Sequence, residues 1–184
     1  RIDPDCLGRL ERALEADAGV AIAGPAILDA THPERIESLG LAFSAASGRF
    51  RELRSGARAS ERGAQRHVDA LSACTMLIRR AALEKIGLFD EGYFFGFEDV
   101  ELCLRVRLAG FGCKLVPEAT VWHEAHATIG RRSPSRLYYA ARNHLLLVRG
   151  RAAAGGRVHA VLRALAIAVL NLAHALRGVE VGRL

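Results

Sequence analysis

Four short apolar runs alternate along the chain with stretches of helical period, and this alternation confines it to an α/β architecture. Val20 to Ala23 reads as a buried strand closed by Gly24 and Pro25. Val68 to Ile78 reads as a second, and Cys113 to Val116 and Ala119 to Trp122 as two more on either side of Pro117. Between them lie the helices. Asp3, with Pro4 at the first helical position, opens one in which Leu7, Leu10 and Leu14 recur at helical spacing. Arg79 and Arg80 lead into a short helix that Gly87 stops. A third starts at Glu98 and Asp99, carries Asp99, Leu102, Cys103 and Val106 on one face, and ends at Gly110. Ser133 and Pro134 supply the cap and first residue of a fourth, running through Tyr138, Tyr139, Arg142 and Asn143 toward Arg149.

With 51% hydrophobic and 25% charged residues, the chain is neither a disordered tail nor a collagen nor a disulfide miniprotein. Cys6, Cys74, Cys103 and Cys113 form no CxxC pair, so they read as reduced core thiols of a cytosolic domain. The net charge of +6 is an arginine surplus, because Lys85 and Lys114 are the only lysines. Such a surplus suits nucleic acid, an anionic membrane surface or a nucleotide-diphosphate substrate. Outside one stretch the arginines are scattered without aromatic interleaving, so no nucleic-acid partner is expected. That stretch, residues 44–66, mixes Arg with Ser, Gly and Ala and reads as a mobile insertion loop. Because the chain opens almost on a helix cap, it is expected to be cut from a longer protein.

The densest chemistry is LFDEGYFFGFED, Leu88 to Asp99. A helix N-terminus favours a carboxylate by about 0.3–1 kcal/mol, so Asp99 is expected to be ionised and able to accept a proton as a general base. The alternative is that Glu98 and Asp99 only offset the helix dipole. His123 closes a strand beside Trp122, and strand ends in α/β sheets are where ligands are met. An imidazole there could ligate a divalent metal, with His126 as a second donor, or be structural. Arg142 and Asn143 suit a phosphate or a sugar hydroxyl; alternatively they are a helix-surface Arg and a packing Asn. Val158 to Leu176, between Arg157 and Arg177, is long enough to span a bilayer. Arg163 inside it costs roughly 2.5–3.5 kcal/mol on insertion, and His159, Arg163, Asn171 and His174 fall on one stripe. A helix lying on a bilayer surface fits that stripe best, followed by a packing helix and then a span.

VDALSACTMLIRR (Val68 to Arg80), EKIGLFDEGYFFGFEDVELCLRVRLAGF (Glu84 to Phe111), LVPEATVWH (Leu115 to His123) and SPSRLYYAARN (Ser133 to Asn143) together resemble the family 2 glycosyltransferases, particularly rhamnosyltransferase-like members that build bacterial surface polysaccharides. The opening RIDPDCLGRL resembles the segment that follows the family's metal-binding DXD-type motif, which implies that the nucleotide-binding half is missing here and that this piece alone is inactive. The resemblance implies a partial GT-A fold over residues 1–150, and the polar stripe described above places a C-terminal amphipathic helix in 151–184. It implies an inverting transfer, in which an acceptor hydroxyl attacks the anomeric carbon of a nucleotide sugar. Asp99 matches the catalytic base, with Glu98 beside it; Glu98, Asp90 and Glu91 fall where the acceptor-side loop lies. His123 matches the histidine that completes the coordination of Mg²⁺ or Mn²⁺. Ala73 stands where the family usually carries glycine, a change expected to narrow the sugar pocket. The expected partners are a nucleotide-sugar donor, a glycan or lipid-linked acceptor and the cytoplasmic membrane surface, at whose inner face the protein would be peripheral. The competing reading is a non-catalytic glycan- or membrane-binding module of the same fold.

Overall fold

The computed structural model describes residues 1–44, 49–124, 133–149, 161–162 and 164–173. Its centre is a parallel pair, β1 (Val20–Asp29) and β7 (Gly112–His123). β2 (Ile36–Ser38) pairs antiparallel with the C-terminal half of β1, and β6 (Leu77–Ile78) with its N-terminal half. β5 (Arg66–Val68) lies antiparallel on the far edge of β7, so the single strand expected over Val68 to Ile78 is instead two short ones that pair with different central strands. β3 (Leu41–Ser44) and β4 (Arg49–Glu52) make a separate two-stranded sheet.

Both central strands run through residues that locally read as breaks. Pro25 pairs with Val116, and the next pair is Ala26 with Thr120, so Pro117 to Ala119 bulge out of the ladder. Neither proline has an N–H to give, and a bulge is where a strand can dispense with one. The expected stop at Gly24 and Pro25, and the expected split of the later strand, are therefore both replaced by continuous strands. Gly24 is needed for space: a Cβ there would lie 2.8 Å from Leu71 Cδ2.

α1 (Cys6–Glu15) covers one face of the sheet. Cys6, Leu10, Ala13 and Leu14 pack against Val20, Ala23, Ile27, Val116, Ala119 and Val121. Leu7 is exposed, and Pro4 lies in the turn before the helix instead of at its first position. Arg79 donates to the carbonyl of Leu14 at 2.6 Å and so satisfies the end of α1. α3 (Glu98–Leu108) packs on the other face, where Cys113 points by strand alternation and where the thiol of Cys103 meets Leu71. It is buried almost all round, since Val100, Leu104 and Glu101 join the expected face; Glu101 is paired with Arg105 at 2.8 Å. Arg105 also donates to the carbonyls of Ile86 and Leu88, closing the end of α2 (Arg80–Ile86). Three of the cysteines are buried as expected, but Cys74 is exposed; all four are free.

The arginine-rich stretch owes its order to hydrogen bonds, not to apolar spacing. Leu39 and Gly40 exchange backbone bonds with Leu53, Ile36 with Gly56 and Ala57, and Arg62 reaches Thr120 at 2.7 Å. Residues 45–48 of that stretch lie outside the described residues.

The described chain divides into two units. The first holds the main sheet with α1, α2 and α3. The second holds Glu91–Phe97, α4 (Pro134–Arg149) and the helical residues 161–162 and 164–173. α4 begins as its sequence indicates, with the Ser133 hydroxyl accepting the N–H of Arg136 at 3.3 Å. In the second unit Ile167 is buried and Asn171 meets His144, while Leu162, Leu165, Val169, Leu170 and Leu172 are exposed. His126, His159, Arg163 and His174 lie outside the described residues, as do the flanking Arg157 and Arg177. Among the described residues no helix is long and apolar enough to cross a membrane.

Candidate active site

Asp99 sits in the first turn of α3, half-buried. Its Oδ2 accepts the backbone N–H of Ala73 at 3.1 Å and its Oδ1 that of Val100 at 2.8 Å. Burial pushes the carboxyl above the ordinary aspartate range, and these N–H groups only partly offset it. Desolvation thus outweighs the helix end, the reverse of the balance expected from sequence. A carboxylate raised in this way is a stronger proton acceptor than a solvated one.

Two further acids share its surroundings. The Glu52 carboxyl is pushed up chiefly by burial, against a hydrogen bond from Ser38, and further by the charges of Asp99 and Glu37. The Cys74 thiol is pushed up to about 11, mainly by desolvation, with Glu37 and Asp99 adding to it. Three carboxylates, Asp99, Glu52 and Glu37, therefore feel one another or a common neighbour. Glu37 and Glu52 escape a sequence reading: both flank or occupy the arginine-rich stretch, and no motif marks them.

His123 ends β7 at the carboxyl edge of the parallel pair, level with Asp29 of β1. Its Nδ1 lies 2.8 Å from Glu37 Oε1. Among the described residues no three His, Cys, Asp or Glu side chains gather as a metal cage.

The second unit holds the aromatic loop. Asn143 is fully buried, and its Nδ2 donates to the carbonyls of Tyr93, Phe95 and Gly96 at 2.7, 2.9 and 2.8 Å. Arg142 donates to Gly92 O at 2.8 Å and to Asn143 Oδ1 at 2.7 Å. Together they hold a strained backbone, since Phe94 and Phe97 have φ of 53° and 74°. Of the roles weighed for Asn143, packing is the one its contacts describe. Phe94 is 79% exposed, with Tyr139 5.2 Å from it ring to ring. Asp90 and Glu91 are exposed, and Glu91 opens a 3-10 turn to Tyr93. Glu98 is half-buried at the first position of α3.

The sequence model of "Glycosyltransferase like family 2" matches residues 2–145. The chain belongs to glycosyltransferase family 2. Within that family it is similar to the N-acetylglucosaminyl-diphospho-decaprenol L-rhamnosyltransferase of Mycobacterium tuberculosis, in strains CDC 1551 and H37Rv, at 45% identity over 74 residues, or 40% of this chain and 24% of the relative. It is also similar to Rhamnosyltransferase WbbL of Escherichia coli K12, at 41% identity over 59 residues, or 32% of this chain and 22% of that protein. The chain thus spans about a quarter of the length of the curated relatives it matches. Its mixed α/β arrangement is a partial GT-A-like fold, in agreement with the family 2 match.

Proposed function

We propose that this family 2 chain carries the acceptor side of an inverting glycosyltransferase of bacterial surface polysaccharide synthesis, with Asp99 as the base that deprotonates the acceptor hydroxyl. The observation that carries the reading is the Asp99 carboxylate, fixed by the N–H groups of Ala73 and Val100 and raised by burial at the start of α3. Held in one orientation, it takes the proton as the hydroxyl oxygen attacks the anomeric carbon and the nucleoside diphosphate leaves. Glu98, Asp90 and Glu91 are assigned to the acceptor side, and Arg142 to a phosphate or sugar contact. The rhamnosyltransferase names of the relatives, one of them acting on a decaprenol-linked diphospho-sugar, support a nucleotide-sugar donor and a lipid-linked acceptor.

The described residues supply only part of a divalent-cation site. Glu37 Oε2 is buried with no hydrogen-bond partner among the described residues, beside His123, and its charge is felt by the Glu52 carboxyl. His123 would hold Mg²⁺ or Mn²⁺, which when bound neutralises charge on the leaving diphosphate. The exposed apolar side chains of helical residues 161–162 and 164–173 support a peripheral place on the cytoplasmic membrane face. That surface also favours a second reading, a membrane-binding module without turnover.

The test uses the protein encoded by the whole reading frame around this chain, assayed for nucleoside diphosphate release against a panel of nucleotide sugars, with and without Mn²⁺. Asp99→Asn is expected to fold and to lose about 10²- to 10⁴-fold in transfer, with donor binding little changed. Near wild-type transfer by that variant would remove Asp99 from the base role. Absence of turnover with any donor would leave the binding module.

A further inference from the structure

β2 alternates with a two-residue period: Ile36 and Ser38 are buried, and Glu37 between them is only partly so. β1 separates β2 from β7, so Glu37 reaches His123 across the middle strand, a span of about two strand spacings of 4.8 Å. The nearer carboxylate by register is Asp29, paired with His123. Asp29 is committed elsewhere, its Oδ1 accepting the N–H and hydroxyl of Thr31 at 2.7 and 2.6 Å and the N–H of His32 at 3.1 Å. Glu37 is therefore the carboxylate that serves the histidine. Its Oε1 lies 2.8 Å from Nδ1, and its Oε2 has no hydrogen-bond partner among the described residues. Among the described residues the carboxylate has no second anchor that would dictate another orientation.

The nitrogen that carries the proton in a neutral imidazole is set by the bond the other nitrogen makes. We propose that Glu37 is a positioning residue, whose carboxylate accepts Nδ1–H of His123 and thereby fixes the ring and leaves the lone pair on Nε2, free for a divalent cation. The inference rests on the metal role of His123 proposed above. A carboxylate behind a ligating imidazole fixes both tautomer and ring orientation, and its removal costs about 10- to 100-fold in metal affinity.

The test uses the protein from the whole reading frame, labelled with ¹⁵N histidine, at a pH where the imidazole is neutral. His123→Ala identifies the His123 signals among those of the other histidines. The wild type is expected to show the Nδ1–H tautomer. Glu37→Met, close in size but without an acceptor, is expected to shift His123 toward Nε2–H and to weaken Mn²⁺ binding, read by electron paramagnetic resonance, by about 10- to 100-fold. Glu37→Gln, whose amide oxygen still accepts from Nδ1, is expected to keep the tautomer and recover most of the affinity. Glu37→Ala repeats the comparison if the Met variant does not fold. An Nδ1–H tautomer that persists in Glu37→Met or Glu37→Ala overturns the inference. Unchanged Mn²⁺ affinity in His123→Ala overturns the metal reading instead, and a tautomer shift in Glu37→Met would then still uphold the orienting contact.

Discussion

The backbone N–H of Ala73 donates to Asp99 Oδ2 at 3.1 Å, joining two segments 26 residues apart in the chain. Ala73 thus meets the proposed base through its backbone. Narrowing of a sugar pocket by the Ala73 methyl group is a separate matter. What the main chain does is fix one carboxylate oxygen, while Val100 fixes the other. Such a carboxylate is oriented and desolvated at once, and its protonation feeds back on stability.

The pH dependence follows with its sign. Burial raises the folded-state affinity of Asp99 and Glu52 for protons above that of the unfolded chain. Between the unfolded and folded titrations the folded state therefore binds more protons, and stability falls as pH rises through that window. Asp99→Asn removes one of the two groups. It also leaves one of the two N–H donors without an oxygen, which lowers stability at every pH. The expected outcome is that the Tm difference between variant and wild type moves in the variant's favour from acid to neutral pH. Thermal unfolding across that range checks it, and a constant difference would contradict the raised Asp99 carboxyl.

Asn143 offers two amide hydrogens to three loop carbonyls, so at least one is shared. Asn143→Ala strands these acceptors, at about 1–3 kcal/mol for each that water does not reach. Asn143→Asp should be worse, because a carboxylate would face the same carbonyl oxygens. Tm should fall by about 2–4 °C per kcal/mol lost, and amides of residues 93–97 should exchange faster. Unaltered exchange in that loop would show that Asn143 does not hold it.

Gly24→Ala tests the close approach to Leu71, since the new methyl group would lie 2.8 Å from one Cδ and 3.1 Å from the other. Leu71 is buried and cannot simply swing aside, so a loss of about 1–3 kcal/mol is expected. Leu71→Ala in the same background should cost less than Leu71→Ala alone. Chemical denaturation of the four-member cycle measures it; additive losses would mean that the two side chains do not collide.

Leu165 and Val169 are exposed four residues apart on the helix that follows α4. Replacing both with Glu should abolish flotation with phosphatidylglycerol vesicles, and salt should weaken wild-type flotation. Equal flotation of the double variant would remove the membrane surface from the proposal.

Most of the secondary structure was legible in the sequence because local chemistry marks it: Ser133 and Pro134 begin α4, Gly87 ends α2, and Asp99 opens α3. The failures have a common physical origin in contacts distant along the chain. Pro25 and Pro117 read as strand ends, since a bulge that tolerates a missing donor exists only once β1 and β7 have paired. Leu7 fits the helical period, yet Cys6 and Ala13 lie on the buried side in its place. Asp99 was legible at the start of a helix but not in its titration, because desolvation comes from what surrounds a helix end. Glu37 and Glu52 gave no signal, because their partners His123 and Ser38 lie 86 and 14 residues away.

The bulge at Pro117 to Ala119 separates β7 into a half that pairs with the start of β1 and a half that pairs with its end. Side chains on a strand change sides with every residue, so the number of residues looped out here sets the phase of everything beyond it. His123 comes up toward Glu37 only in the present phase. A one-residue deletion that the ladder absorbs by slipping would turn the imidazole to the opposite side of the sheet without touching either residue of the pair. The looped-out residues thus work as a counter for the histidine, and insertions or deletions there should be far less tolerated than their place outside the ladder suggests.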